Sequence, residues 1–98
     1  MKIVAVTACP TGIAHTYMAA EKLEKAARDL GHQIKVETQG AMGIENTLSA
    51  ADIRDADAVL FATDIAVEQR ERFEGKKIVS APVKEAIKDP AGLLRRLA

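Results

Sequence analysis

The chain has 98 residues, which is enough for one domain with a modest hydrophobic core, and residues 1–98 are expected to fold as a single unit. Its 14 basic residues balance 14 acidic ones and only three residues are aromatic, so it offers neither a basic surface nor stacking rings for nucleic acid. No apolar run is long enough to cross a bilayer, so the chain is not expected to insert into a membrane. A single cysteine cannot close an internal disulfide, which favours a reducing compartment, most simply the cytoplasm.

Apolar runs predict four strands, and amphipathic runs between them predict helices. The strands are predicted at residues 2–7, 33–38, 58–62 and 77–81. The helices are predicted at residues 12–30, 50–55 and 68–73, with a further helix after Pro82 and a last one that Asp89 caps and Pro90 begins.

The strands differ in how much of their surface they are expected to bury. Residues 3–6 and 58–62 are continuously apolar, which is typical of strands covered on both faces of a parallel sheet. In the second strand apolar residues alternate with Lys35 and Glu37, so we expect an edge strand with Glu37 facing solvent. Residues 39–43 are expected to form a flexible loop.

Two helices are expected to separate apolar from charged residues. In the first helix Tyr17 and Leu23 belong to a stripe spaced by three or four residues, which is predicted to face the core. The charged run 68–74 is predicted to be the solvated face of a short helix that stops near Gly75.

The alternation of strands and helices predicts a doubly wound α/β fold. Right-handed crossovers and short connections favour a four-stranded parallel sheet in the order 2-1-3-4, with helices on both faces. In this order the winding direction reverses between the first and third strands, and ligands bind beside the carboxyl ends of the strands at such a point. Cys9 and Asp64 follow these two strands, so both are expected there.

The only cysteine lies in the turn between the first strand and the first helix. Backbone N–H groups at a helix start lack partners within the helix and carry partial positive charge, which suits a thiolate or a phosphate. A glycine in the turn lets the backbone approach a phosphate closely. We therefore interpret Cys9 as a nucleophile that accepts and passes on a phosphoryl group. The predicted phosphate-binding residues are Thr11, Gly12, Ile13, Ala14, His15 and Thr16.

Each candidate residue also has a plainer interpretation. A lone cysteine is often only a small buried hydrophobe, and His15 either lends charge to the site or only hydrogen-bonds in the first helical turn. Gln39 and Gly40 either border the site or belong to an ordinary loop. Asp64 is more simply a cap at the end of a strand. One cysteine and two distant histidines predict no metal site.

Two rival functions are open at this point. A cysteine phosphatase is expected to carry an arginine six positions after the cysteine to clamp phosphate, and here that position is His15. This argues against a low-molecular-weight cysteine phosphatase-like enzyme and leaves room for a long-lived phosphocysteine. The other rival is a non-catalytic thiol-sensing or binding domain, which an unreactive cysteine would favour.

Three segments of the chain resemble one family. Residues 9–16, followed by Met18–Glu21, resemble the signature of the enzyme IIB component of the bacterial sugar phosphotransferase system, fructose family. Residues 36–40 resemble that family's second signature, and residues 58–66 resemble a third. The likeness covers nearly the whole chain.

The resemblance implies a phosphotransferase relay that needs neither a metal nor another cofactor. A phosphohistidine on the IIA component would give its phosphoryl group to the family's active cysteine, which corresponds to Cys9. The phosphocysteine would then phosphorylate a sugar, by family fructose, that the membrane-embedded IIC component holds during uptake. The protein would work in the cytoplasm at the inner face of the membrane. Mannose or a related sugar, and either a free subunit or a domain of a longer chain, are open alternatives.

Overall fold

A computed structural model of the chain describes residues 1–9, 13–40 and 43–97. In these ranges the strands are β1 (Lys2–Ala8), β2 (Gln33–Gly40), β3 (Gly43–Glu45), β4 (Ala58–Thr63) and β5 (Ile78–Ala81). The helices are α1 (Ile13–Asp29), α2 (Ala50–Asp55), a 3₁₀ helix (Arg70–Phe73), α3 (Val83–Lys88) and α4 (Pro90–Arg95). All the predicted strands and helices are present, with ends that shift by one or two residues.

The strands form one sheet in the order β3-β2-β1-β4-β5. β1 pairs in parallel with β2 and with β4, and β4 pairs in parallel with β5. The central strand therefore has a neighbour on each side, and Val6 lies opposite Glu37 on β2 and Phe61 on β4. The order predicted for the four parallel strands is confirmed, with β4 and β5 as the predicted third and fourth strands.

The prediction of a purely parallel, four-stranded sheet is wrong. β3 adds a fifth strand that pairs antiparallel with the end of β2, with Thr38 opposite Glu45 and Gly40 opposite Gly43. Most of the predicted loop at 39–43 therefore belongs to strands, while Ala41 and Met42 lie outside the described residues. β3 has only three residues, which is too short for an apolar alternation to be recognised in the sequence.

Each face of the sheet has its own apolar cluster, as expected for helices on both faces. On one face Ile3 and Ala5 of β1 pack with α1, α3 and α4, where Leu23, Leu93 and Leu94 are fully or almost fully buried. On the other face Val4 and Val6 pack with α2 and the 3₁₀ helix. There the ring of Phe73 meets that of Phe61 edge-on, with 5.1 Å between centroids and 82° between planes. The two clusters leave the carboxyl ends of the strands as the place where side chains of several strands converge.

A reciprocal cap begins α2. The Ser49 hydroxyl accepts a hydrogen bond of 3.0 Å from the Asp52 N–H, and the Asp52 carboxylate accepts one of 3.0 Å from the Ser49 N–H. Lys35 of β2 also reaches that carboxylate, at 2.8 Å. The pKa of Asp52 is lowered to about 2, first by the hydrogen bond from the Lys35 ammonium and then by those of the Ser49 N–H and hydroxyl. Ser49 and Asp52 thus form a capping box at the start of α2.

We expect Ser49→Ala to destabilise the protein by about 1 kcal/mol, the usual cost of losing an N-cap hydroxyl. The Asp52 N–H loses its acceptor, while the Lys35 ion pair stays in place. Urea unfolding measures the effect, and Ser80→Ala on the exposed side of β5 is the matched control. Equal midpoints for the two variants would show that the cap does not stabilise α2.

Candidate functional site

Cys9 lies directly after the central strand, at the carboxyl edge of the sheet. Its side chain is 5% exposed and belongs to the apolar cluster on the α1 face. Helix α1 begins four positions later at Ile13. The Thr7 hydroxyl donates a 3.1 Å hydrogen bond to the Thr16 carbonyl, which ties the first turn of α1 to the end of β1. Strand and helix therefore hold the start of α1 next to the cysteine.

The predicted phosphate-binding residues divide into three groups. Thr11 and Gly12 lie outside the described residues. Ile13 opens α1, and Ala14 and His15 follow in its first turn with exposed side chains. Thr16 is buried. The backbone N–H groups of this first turn carry the partial positive charge of a helix start, as the sequence predicts.

Cys9 shares a pocket with residues that come from three other segments. The pocket has a volume of about 380 Å³. It is lined by Cys9, Gln39, Gly40, Gly43, Ile65, Ala66 and Glu68. The predicted border residues Gln39 and Gly40 are thus brought beside the cysteine by the end of β2. Gly40 also lies next to Thr16, since a Cβ atom on this glycine would be 3.6 Å from the Thr16 hydroxyl oxygen.

Asp64 lies next to the site but its side chain has a structural role. Its N–H donates to the Ala8 carbonyl at 2.9 Å, which continues the pairing of β4 with β1. Its carboxylate accepts a 3.1 Å hydrogen bond from the N–H of Val83, the first residue of α3. The aspartate side chain therefore bonds the start of a helix across the sheet edge, and the predicted cap at the end of its own strand is not what the carboxylate forms.

The prediction that Glu37 faces solvent is wrong. Its side chain is 0% exposed and forms a double hydrogen-bonded ion pair with Arg72, at 2.9 and 2.8 Å. The Leu48 N–H donates to the same carboxylate at 2.9 Å, and the Gln39 amide donates at 2.8 Å. Burial raises the pKa of Glu37, but the hydrogen bonds from these partners outweigh it and hold the pKa below its ordinary value of 4.5.

The prediction of a solvated charged face at 68–74 is also wrong in part. Arg72 turns inward to Glu37, and its guanidinium stacks on the Phe73 ring at 5.0 Å from the centroid. Arg70 covers the Phe61 ring at 5.2 Å. Tyr17 departs from its prediction in the opposite sense, because it is 41% exposed and donates its hydroxyl hydrogen to Glu45 of β3.

Sequence reasoning from pattern alone missed the side of the pocket formed by Ile65, Ala66 and Glu68. These residues follow β4, and only their place after the strand-end Thr63 and Asp64 could have indicated them. The buried Glu37 gives no such signal, because alternation of polar and apolar residues cannot distinguish an exposed glutamate from one paired with a distant arginine.

The described ranges hold neither a metal-binding cluster nor a membrane-spanning helix. Residues 1–9, 13–40 and 43–97 contain no group of three or more His, Cys, Asp or Glu side chains placed to hold a metal ion. No helix in that part of the chain is long and apolar enough to span a bilayer.

The chain matches a family model over residues 4–96, described as the lactose/cellobiose-specific IIB subunit of the PTS system. It is 50% identical over 96 residues to the PTS system fructose-like EIIB component 2 of Escherichia coli K12, covering 98% of this chain and 91% of that protein. It is 52% identical to the PTS system fructose-specific EIIABC component of Bacillus subtilis strain 168, covering 97% of this chain and 15% of that protein. A domain of the fructose-specific IIABC component of Borrelia burgdorferi superposes with a TM-score of 0.92 at 44% identity, covering 97% and 90% of the two chains.

These matches and the cysteine at the carboxyl edge of the sheet define a phosphotransferase domain of the bacterial sugar phosphotransferase system. The chain belongs to the PTS IIB family, whose members transfer phosphate during sugar uptake. Within that family its relatives at about half identity include fructose-like and fructose-specific components and a 2-O-alpha-mannosyl-D-glycerate-specific component of Escherichia coli K12. The family predicted from the three sequence segments is confirmed.

Proposed function

We propose that Cys9 is the residue that carries the phosphoryl group. In this scheme it accepts the group from a phosphohistidine of a IIA component and passes it to a sugar held by a IIC component. The observation that carries the proposal is the position of Cys9, since this buried cysteine follows the central strand, precedes the start of α1 and opens into the pocket.

The first step forms a sulfur–phosphorus bond. The Cys9 thiolate attacks phosphorus, the nitrogen–phosphorus bond breaks, and the imidazole of the donor keeps the electron pair. In the second step a sugar hydroxyl attacks phosphorus, the sulfur–phosphorus bond breaks, and the pair returns to sulfur as the hydroxyl proton is released. Both steps depend on positioning and on stabilising charge on the moving group.

The start of α1 supports both steps. The first N–H groups of a helix have no acceptor within it, so those of residues 13–15 can donate to oxygen atoms of a phosphoryl group near Cys9. We propose the same role for Thr11, Gly12 and the Thr16 hydroxyl, and we assign His15 no proton transfer.

The partners proposed here follow from fused relatives. The Bacillus subtilis relative carries IIA, IIB and IIC in its name, which supports a IIA component as the donor and a IIC component as the acceptor side. We further propose that the protein works in the cytoplasm, against the inner face of the membrane where the IIC component lies. Fructose is the proposed sugar, because several similar relatives are named fructose-like or fructose-specific, whereas one at 52% identity is named for 2-O-alpha-mannosyl-D-glycerate.

A reconstituted relay tests the function. Phosphorylated IIA, membranes that contain the IIC component, and fructose are mixed with or without the protein. Sugar phosphate is expected only when the protein is present, and its rate is expected to rise with protein concentration. No sugar phosphate in the complete mixture, with phosphorylated IIA shown to be active, would contradict the proposal.

The same preparation distinguishes the cysteine phosphatase alternative. A phosphatase would release phosphate from an aryl phosphate many times per cysteine, whereas a phosphoryl carrier is expected to release almost none. Rapid turnover of the aryl phosphate that Cys9→Ser abolishes would favour the phosphatase, since the missing arginine would then be unnecessary.

A further inference from the structure

One side of the Cys9 pocket is a segment that is anchored at both of its ends. Residues 64–68 connect β4 to the 3₁₀ helix, and Ile65, Ala66 and Glu68 line the pocket. At the first end the Asp64 N–H bonds to β1 and its carboxylate bonds to α3. The other end, at Glu68, is held by the Gln39 side chain and by a longer hydrogen bond of 3.4 Å from the Arg72 guanidinium to the Glu68 carbonyl. The position of this pocket side therefore depends on the hydrogen bonds at its two ends and on Val67, which is buried in the apolar cluster of Val6 and Phe61.

The Gln39 amide bonds both backbone groups of Glu68. Its oxygen accepts a 2.8 Å hydrogen bond from the Glu68 N–H, and its nitrogen donates to the Glu68 carbonyl at 3.1 Å. The same nitrogen donates to the Glu37 carboxylate at 2.8 Å, so both of its hydrogens are used. A carboxylate on one side of the amide fixes which end is nitrogen, so the amide has one orientation.

The Glu37 carboxylate is itself fixed by further hydrogen bonds. The Arg72 guanidinium and the Leu48 N–H both donate to its carboxylate, and the carboxylate is fully buried. The amide of Gln39 is buried as well. A continuous series of hydrogen bonds thus runs from Arg72 through Glu37 and Gln39 to the backbone of the pocket segment. Such a connected buried network favours one geometry over loosely bonded alternatives.

We propose that Gln39 is a positioning residue that holds segment 64–68 beside Cys9 and so protects the phosphocysteine from water. The inference rests on the proposed function of Cys9. The reaction that the segment suppresses is hydrolysis, in which a water oxygen attacks phosphorus and the sulfur–phosphorus bond breaks. The electron pair then returns to sulfur, and the water protons leave with inorganic phosphate and solvent. A phosphoryl carrier loses its phosphoryl group by this reaction unless the site excludes water.

Two substitutions of Gln39 release the segment by different means. Gln39→Glu keeps the shape of the side chain but places a second carboxylate against Glu37. It also removes the two hydrogen bonds that the Gln39 amide nitrogen donates, one to Glu37 and one to the Glu68 carbonyl. Gln39→Met keeps the length and removes the hydrogen bonds without adding charge. Gln33→Glu is the matched control, because Gln33 is an exposed residue of the same strand at the opposite end of the sheet.

The experiment measures how fast phosphate is lost. Wild type and variants are charged by phosphorylated IIA and freed of the donor, and intact mass is followed over time. Both Gln39 variants are expected to lose phosphate about tenfold faster than wild type, the factor that one lost net hydrogen bond can produce. Gln33→Glu is expected to match wild type. Equal rates in wild type and the Gln39 variants would overturn the inference.

Amide hydrogen exchange on the uncharged proteins gives a second readout that does not depend on Cys9 chemistry. Exchange at residues 65–68 is expected to be faster in either Gln39 variant, while the strands β1 and β4 stay protected. Unchanged exchange there would also overturn the inference. If wild type itself takes up no phosphate but exchange responds as expected, the failure belongs to the proposed function and not to the anchor. If Gln39→Glu does not fold, Gln39→Met carries both measurements.

Discussion

Arg72→Met is expected to lower the free energy of unfolding by about 3–5 kcal/mol, the usual cost of removing one partner of a buried ion pair. Glu37 is 0% exposed and Arg72 19% exposed, so water cannot replace the guanidinium at the carboxylate. The variant must either keep an uncompensated charge or protonate it. Urea unfolding at neutral pH measures the loss.

Arg70→Met is the matched control for this variant. Both arginines cover an aromatic ring of the same apolar cluster, at 5.2 Å for Arg70 and 5.0 Å for Arg72, but only Arg72 bonds Glu37. The control is expected to cost about 1 kcal/mol or less. The double variant Glu37→Gln with Arg72→Met is expected to recover part of the loss, because no charge is then left buried. Equal costs for the two single arginine variants would contradict the importance of the ion pair.

The pH dependence has a defined sign. The folded protein holds the pKa of Glu37 below its ordinary value of 4.5, so the ionised carboxylate stabilises the wild type at pH values above about 4.5. This contribution to stability is lost as the pH falls below about 4.5 and through the pKa that Glu37 has in the folded protein. In Arg72→Met burial raises the pKa of Glu37 instead, so the carboxylate destabilises this variant at neutral pH. The difference in stability between wild type and variant is therefore expected to shrink as the pH is lowered towards 4.

Cys9→Ser is expected to abolish sugar phosphate formation in the complete relay while leaving the fold intact. A serine hydroxyl is a much weaker nucleophile than a cysteine thiolate at neutral pH, so the variant is not expected to accept the phosphoryl group. The substitution removes little volume from the apolar cluster, so the unfolding midpoint is expected to fall only slightly. The relay assay and a urea unfolding curve on the same preparation measure the two effects.

Cys9→Ala separates loss of the nucleophile from loss of the fold. Both variants are expected to be equally inactive and similarly stable. Sugar phosphate formation by Cys9→Ser at more than a trace level, with none from Cys9→Ala, would mean that an oxygen can replace the sulfur. A normal rate from both variants would show that another residue carries the phosphoryl group.

Much of the fold follows from continuous or periodic apolar patterns. β1 and β4 contain the continuous apolar runs 3–6 and 58–62 because both of their faces are covered, and such runs are recognised readily. β3 could not be predicted, because three residues that begin with a glycine show no period. Tyr17 was assigned to the core by its spacing, but its hydroxyl bonds Glu45 outside the core. Tertiary partners of this kind leave no local mark in the sequence.

The candidate site likewise contains residues that the sequence predicts and residues that it does not. Cys9 and the start of α1 were predictable, because a cysteine between a buried strand and a helix has a defined chemical setting. Gln39 could be placed only near the site, because its role depends on hydrogen bonds to Glu68, 29 positions away. The Glu37–Arg72 pair joins residues 35 positions apart. Alternation predicts Glu37 outside, and only the ion pair with the distant Arg72 accounts for its burial.

The most direct test of the account is the intact mass of the protein after incubation with phosphorylated IIA, measured in parallel for wild type and Cys9→Ser. We expect one phosphate added to wild type and none to the variant, with both proteins folded. A phosphate on the variant would show that Cys9 is not the carrier. No phosphate on either protein, with an active donor, would contradict the phosphocarrier function and leave the phosphatase and binding-domain alternatives to be tested.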